Sequence, residues 1–135
     1  MEQEKILDVE IVTPQMVIYQ GKAESVTVPG SQSPFQILFN HAPIVSTLDI
    51  GLTRIVDDSG KIHLFATGSG FTEVHRNKIS ILVESAFDSA ELNTEEIKAD
   101  LIKAKDLYNG NKTTEYEMAV LELENKLKAA EKIRK

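Results

Sequence analysis

The chain has 135 residues, 41% of them hydrophobic and 27% charged, with a formal net charge of −6 at pH 7 and no cysteine. That length builds one compact domain, or one domain with an appendage, and the acidic balance argues against nucleic acid as the principal partner. The missing cysteines exclude disulfides, thiolate zinc sites and a cysteine nucleophile, no run reaches the roughly 18–20 apolar residues that cross a bilayer, and the N-terminus carries no signal-peptide pattern.

Residues 7–13 mix β-branched apolar and polar side chains at the period of a half-buried strand, and Pro14 ends it by removing a backbone donor. Val17-Ile18-Tyr19 reads as the next strand, with Gly21 a break or bulge before residues 23–29. Three apolar runs follow between Ser25 and Leu48: Val26-Thr27-Val28, Phe35-Gln36-Ile37-Leu38-Phe39 and Ile44-Val45-Ser46-Thr47-Leu48. Pro29-Gly30 with a polar tip, then Asn40-His41-Ala42-Pro43, separate them, which is the pattern of consecutive strands folding back on one another. Strands at 52–56 and 61–67 flank the hairpin turn Asp57-Asp58-Ser59-Gly60. Gly68-Ser69-Gly70 bends the chain, 71–74 is a short strand, His75-Arg76-Asn77-Lys78 turns it, and 79–84 is the last clear strand. Several short strands with no helix between them predict an antiparallel β-sandwich or flattened barrel over residues 1–88.

Residues 89–135 change to a helical period. Asn93 is an N-cap, Glu96 completes a capping box, and Leu92 with Ile97 forms a hydrophobic staple. Ile97, Leu101, Ala104 and Tyr108 share one face, and Asn109-Gly110 is the stop. A second helix starts with Thr114 and Glu117 as the capping pair and carries the stripe Tyr116, Val120, Leu123, Leu127 and Ala130. The short linker predicts an antiparallel helical hairpin, and the whole chain is therefore α+β. Two helices alone bury little, so the hairpin is expected to dock on the sandwich or on another protein with modest stability, as an element suited to changing position.

Few groups suggest chemistry. His41, His63 and His75 are dispersed without paired ligands, so structural or solvent-facing roles fit better than a metal site. Gly68-Ser69-Gly70 precedes a strand, not a helix N-terminus that could face a phosphate, and reads as a turn. No nucleophile, base and orienting group converge, so neither catalysis nor a cofactor is expected. The last ten residues hold Lys126, Lys128, Lys132, Arg134 and Lys135 against Glu131 alone. Such cations complement the helix macrodipole, and they also suit an acidic protein surface.

Four motifs in order, Ser25-Val26-Thr27-Val28-Pro29-Gly30-Ser31, Asn40-His41-Ala42-Pro43, Gly68-Ser69-Gly70-Phe71-Thr72-Glu73-Val74 and Asn77-Lys78-Ile79-Ser80-Ile81-Leu82-Val83, followed by two helices, closely resemble the epsilon-subunit family of bacterial F-type ATP synthases. The resemblance covers nearly the whole chain. It implies a non-catalytic rotor subunit of a proton-translocating complex, peripheral to the cytoplasmic face of the bacterial inner membrane and attached through its partners. By motif position, Thr13, His41 and Ser46 would lie on the side facing the gamma subunit, and Ser33, Pro34 and Phe35 would face the c-ring. Lys126, Lys128, Lys132 and Arg134 would meet an acidic segment of the catalytic beta subunit when the hairpin extends, and inhibit ATP hydrolysis.

The chain also departs from the family. Many relatives carry Glu-Leu-Gly or Glu-Phe-Gly in the c-ring loop where this chain has Pro34-Phe35-Gln36, and a Pro-Asn or Pro-Gly pair before His-Ala-Pro where it has Phe39-Asn40. ATP-sensing members open the first helix with Ile/Leu-Asp-x-x-Arg-Ala. Here the matching positions are Leu92 to Ile97, with Asn93 for the Asp and Glu96 for the Arg, so like charge would repel a triphosphate and weak ATP binding or none is expected. The alternative reading, a β-sandwich regulator that senses a small ligand such as a nucleotide, is weakened by that change. An independent enzyme would have to reveal itself by activity of the isolated chain.

Overall fold

In the first strand Leu7, Val9 and Ile11 are buried while Asp8 is exposed, the alternation that a pleated strand over a core imposes. The computed structural model describes residues 5–133. It contains strands β1 (Leu7–Val12), β2 (Val17–Val28), β3 (Phe35–Leu38), β4 (Ile44–Leu48), β5 (Gly51–Asp57), β6 (Ile62–Thr67), β7 (Gly70–His75), β8 (Lys78–Val83) and β9 (Ala86–Asp88). A 3₁₀ turn (Ser89–Glu91) leads to helices α1 (Thr94–Gly110) and α2 (Thr114–Ile133).

The strands run in the order β4-β7-β8-β1-β2-β5-β6-β9, with β3 on β2. All pairings are antiparallel except β1 with β8, so the antiparallel sandwich expected from the sequence forms with one parallel pair in it. The twelve-residue β2 belongs to both halves: its first part pairs with β1, its last part with β3 and β5. It crosses over at Glu24, the residue skipped when Ala23 pairs with Asp57 and Ser25 with Val56. At one end a bridge between Gly30 and Leu48 ties the far edge strand β4 back to the end of β2.

Several local expectations change. Gly21 does not interrupt β2; it pairs with Val9, and Tyr19 lies over it, its hydroxyl 3.2 Å from where a Cβ would stand. β3 and β4 do not fold back on each other: β3 joins β2 while β4 crosses to β7, because pairing is decided by distant partners and not by the intervening turn. After β8 the chain adds one more strand, β9, which pairs with β6 and whose three residues are too few to show a period.

The core between the halves is built from Ile11, Val26, Ile37, Ile55, Phe65 and Ile81, with Tyr19 edge-on to Phe65 at 5.5 Å. Thr53 and Thr67 are buried within it, their hydroxyls 3.0 Å apart, and Thr67 also donates to the Gly51 carbonyl at 3.3 Å. Mutual hydrogen bonding is what makes that polar burial tolerable.

The β5–β6 turn is organised by Asp57. Its Oδ1 accepts from Ser59 N, Ser59 Oγ and Lys61 N at 2.9, 2.7 and 2.9 Å, and its Oδ2 pairs with His63 Nε2 at 2.9 Å. The His63 hydrogen bond, then those from Ser59, hold the Asp57 carboxyl well below the usual carboxylate range. Burial, then the charges of Asp57 and Asp58, raises the neighbouring Tyr19 phenol above its ordinary value. A group whose pKa is depressed by folding contributes stability that is complete above its unfolded value and is lost as pH falls through its folded value. Asp57→Asn should therefore lower the urea midpoint at pH 6, and the gap from wild type should close as pH falls below about 4, where an unfolded aspartate protonates. A gap of constant size between pH 6 and pH 2 would contradict this.

Two asparagines in the left-handed region, Asn40 and Asn77, pin the other loops at this same end, where Asn40 and Asp58 border one pocket. Arg76 and Asn77 have φ of 50° and 63°, the two-residue hairpin geometry that matches strand twist. Asn77 Oδ1 accepts from Asn40 N at 2.6 Å, and its Nδ2 donates to Asn40 Oδ1 at 3.2 Å, fixing the 40–43 loop.

Asn93 caps α1 as predicted, accepting from Glu96 N at 3.1 Å. The cap of α2 is Thr113, one residue before the predicted Thr114; its Oγ1 accepts from Tyr116 N at 3.2 Å. Ile97, Leu101 and Ala104 of α1 are buried, with Tyr108 half-buried, and α1 packs along α2. α1 does not stop through a left-handed glycine: Gly110 is its last residue and Asn111 follows with φ −156°.

Candidate functional site

Three surfaces carry the residues that the sequence singles out. On the face of β4, β7, β8, β1 and β2 away from the core, strand register lines up Thr47, Phe71, Leu82, Val12 and Val17 in one row. Phe71 is 41% exposed, Val17 50% and the adjacent Met16 61%. The next row is polar apart from Val45: Glu73, Ser80, Glu10 and Gln20, with Ser80 Oγ donating to Glu10 at 2.9 Å. An open groove of about 410 Å³ runs beside the apolar row, between Thr13-Pro14 and Ser69-Gly70-Phe71. A contiguous apolar band with a polar border is the usual form of a protein-binding face.

Thr13, His41 and Ser46 are not brought together. Thr13 is buried at the end of β1, where its Oγ1 donates to Met16 O at 3.2 Å and accepts from Met16 N at 3.3 Å, so it shapes the turn that presents Pro14 and Met16. Ser46 is half-buried in the edge strand β4, opposite Thr72. His41 lies at the other end of the sandwich, in the loop held by Asn40 and Asn77, its Nδ1 2.7 Å from the Ala42 carbonyl oxygen.

The second surface is the loop between β2 and β3, at the Thr13 end. Ser31 N donates to Thr47 O at 3.0 Å and Ser31 Oγ to Asp49 at 3.1 Å, which sets its base. Ser33 and Pro34 are exposed at its tip. Phe35 is half-buried against the core and folds over Gly30, where a Cβ would stand 2.8 Å from its ring and 2.6 Å from Ser33 O. Phe35 therefore anchors the loop, and Ser33 and Pro34 are what it offers.

The third surface is the hairpin. α2 lies on the outer side of β5 and β6 with Ala129 buried between Leu64 and Ala66, flanked by Leu52 and Leu92. Asn125 Nδ2 donates to Gly51 O at 2.8 Å and approaches Thr67 O at 3.4 Å. The Lys126 ammonium sits 3.8 Å from the Phe87 ring centroid. Lys128 and Lys132 are exposed, and at about 100° per residue they lie on the side of α2 opposite Lys126. The basic end is thus divided between two faces; Arg134 lies outside the described residues. The Ser89 hydroxyl, in the turn entering the hairpin, is 2% exposed and has no hydrogen-bond partner among the described residues.

The apolar row and Asn125 were not singled out from sequence. The row joins residues distant in the chain. Asn125 does leave a signal, a polar residue one helical turn before the buried Ala129. Among the described residues no three His, Asp or Glu are placed to hold a metal ion, and no helix is long and apolar enough to cross a membrane.

The family profile described as "ATP synthase, Delta/Epsilon chain, beta-sandwich domain" matches residues 6–89. An ATP synthase epsilon chain of Leptospira interrogans is 37% identical over 101 residues, covering 75% of this chain and 79% of that protein. One from Campylobacter jejuni is 39% identical over 102 residues, covering 76% and 79%. Among solved structures, a chain in the Euglena gracilis mitochondrial ATP synthase OSCP/F1/c-ring assembly superposes with a TM-score of 0.71 at 17% identity, over 99% of this chain and 82% of that one. A chain from the Tetrahymena thermophila mitochondrial ATP synthase central stalk and c-ring gives 0.57 at 20% identity, with both chains fully covered. At those identities the likeness is one of fold.

Proposed function

Since this chain belongs to the ATP synthase delta/epsilon family and is a central-stalk subunit of that complex, we propose that it couples the gamma subunit to the c-ring without catalysing a reaction itself. The observation that carries the reading is the uncovered apolar row of Phe71, Leu82, Val12 and Val17, on the face of the sandwich that the hairpin does not touch. Gamma takes this face, with the Thr13 turn at one border and Ser46 and His41 along the β4 side. The c-ring meets Ser33 and Pro34, over the base that Phe35 anchors. The subunit is peripheral, on the cytoplasmic side of a bacterial membrane, and is held there by these partners.

The hairpin is the regulatory part. Lifted from the sandwich, it offers Lys126, Lys128, Lys132 and Arg134 to an acidic segment of the beta subunit and slows ATP hydrolysis. ATP is not its ligand. The open groove between hairpin and sandwich, about 900 Å³, is lined by Asp49, Glu124 and Glu131 against Lys105 and Lys128, a balance that disfavours a triphosphate.

One experiment tests both parts. A catalytic head that retains gamma but lacks this subunit is titrated with wild-type chain, Phe71→Asp and a chain ending at Asp88, reading affinity and ATP hydrolysis together. Phe71→Asp should weaken binding by about 30-fold, as loss of an aromatic anchor does. The shortened chain should bind like wild type without slowing hydrolysis. Unchanged binding by Phe71→Asp removes the gamma face, and equal hydrolysis rates with full and shortened chains remove the brake.

A further inference from the structure

The hairpin touches the sandwich through few groups, and its closest contacts are polar. Ala129 supplies a small apolar seal against Leu64 and Ala66. One turn earlier Asn125 reaches the carbonyl oxygens of Gly51 and Thr67, at the end of the β5–β6 ladder where those two residues pair. Next to it, Lys126 lies over Phe87 of β9 at 3.8 Å. Much of the remaining boundary is the open groove beside Leu121 and Lys128.

We propose that Asn125 and Lys126 form a polar latch that holds the hairpin on the sandwich and keeps Lys126 away from acidic partners while the hairpin is docked. Two properties of the contacts suit a latch better than a permanent seal. Hydrogen bonds to strand-end carbonyls that α2 covers are exchanged for bonds to water on release, so the net free energy holding the docked state is small and the contact is reversible. The ammonium cannot stack on Phe87 and pair with a carboxylate elsewhere at once. An acidic surface that takes Lys126 therefore competes with docking, and docking weakens that surface's hold by the same factor. This last step rests on the hairpin acting as a brake; the latch does not.

Ser89 works against the latch. Its hydroxyl is buried without a partner in the turn that packs between β6 and α2, a cost that exposure to water relieves. Docking is thus a balance between the Ala129 seal with two polar contacts on α2 and one uncompensated group in the turn that enters the hairpin.

The chain has no cysteine, so a single introduced thiol reports opening cleanly. Ala66→Cys places it on the outer face of β6 beneath α2, and Val26→Cys places one in the sandwich core. Labelling by a water-soluble maleimide is measured on the isolated full-length chain, each thiol alone and with Asn125→Ala or Phe87→Leu. Either substitution should speed labelling at position 66 about fivefold, the value of one such contact, and leave position 26 unchanged. Asn125→Ala improves helix propensity, so faster labelling cannot come from a weaker α2. Unchanged labelling at position 66 in both variants overturns the latch. So does equal acceleration at positions 66 and 26, which would mean loss of the whole fold. No ATP synthase enters the measurement, so it can fail while the brake stands, and the reverse.

Discussion

Phe65→Ala is expected to destabilise the protein by about 4 kcal/mol, at the upper end for a large-to-small change in a packed core. Phe65 is 1% exposed and lies among β-branched residues whose χ1 rotamers have little freedom to close a cavity. Its ring also gives Tyr19 an edge-on partner, a preference worth about 1 kcal/mol beyond buried area. The residues on either side, Leu64 and Ala66, face the opposite way and form the pad under Ala129, so a shift of β6 reaches the hairpin as well. Urea and thermal unfolding would show it as a fall in Tm of about 15 °C. A loss below about 1 kcal/mol would mean that the core closes around the missing ring, contrary to the packing described.

Gly70→Ala should cost about 3 kcal/mol for a different reason. Gly70 has no unusual φ, so conformational freedom is not what the position requires. It requires space. β7 begins against β8 so closely that a methyl group there would overlap the Leu82 carbonyl oxygen and stand 2.8 Å from Val83 Cα. These are backbone atoms of a paired strand and cannot rotate away. The start of β7 must separate from β8, which disturbs the Gly70–Val83 and Phe71–Leu82 pairs and with them the apolar row. Amide exchange in residues 70–73 and 80–83 should rise more than elsewhere in the sandwich. Wild-type stability in Gly70→Ala would show that the two strands separate at little cost.

What the sequence made legible was local. Alternation in Leu7, Val9 and Ile11, the Asp57-to-Gly60 turn and the Asn93 cap each depend on neighbours within a few residues, and each was read correctly. Where two local solutions fit, as with Thr113 and Thr114 at the start of α2, the pattern did not choose between them. Gly21 looked like a break because glycine permits one, but the pairing with Val9 and the Tyr19 ring above it keep the strand straight through.

The rest is decided by pairing between distant segments. β4 leaves β3 for β7, and no property of the loop 39–43 foretells that. The apolar row is a product of the same register: Val12, Val17, Phe71 and Leu82 are unremarkable apart, and only strand alignment puts them side by side. For the basic residues the sequence shows the cluster, and their angular positions on a helix separate Lys126 from Lys128 and Lys132.

A sandwich of two separate sheets has a seam, and a sideways load on one sheet reaches the other only through side chains that slide. Here β2 removes that seam along one side, since the same backbone carries the ladder to β1 and the ladders to β3 and β5. Inter-strand hydrogen bonds lie across the strand direction, so a pull along β2 strains many of them together and none must part first. A twisting force entering at the Phe71 face thus passes to β5 and β6 as shear in continuous chain. The sandwich turns as a stiff block, and its compliance is left to the hairpin.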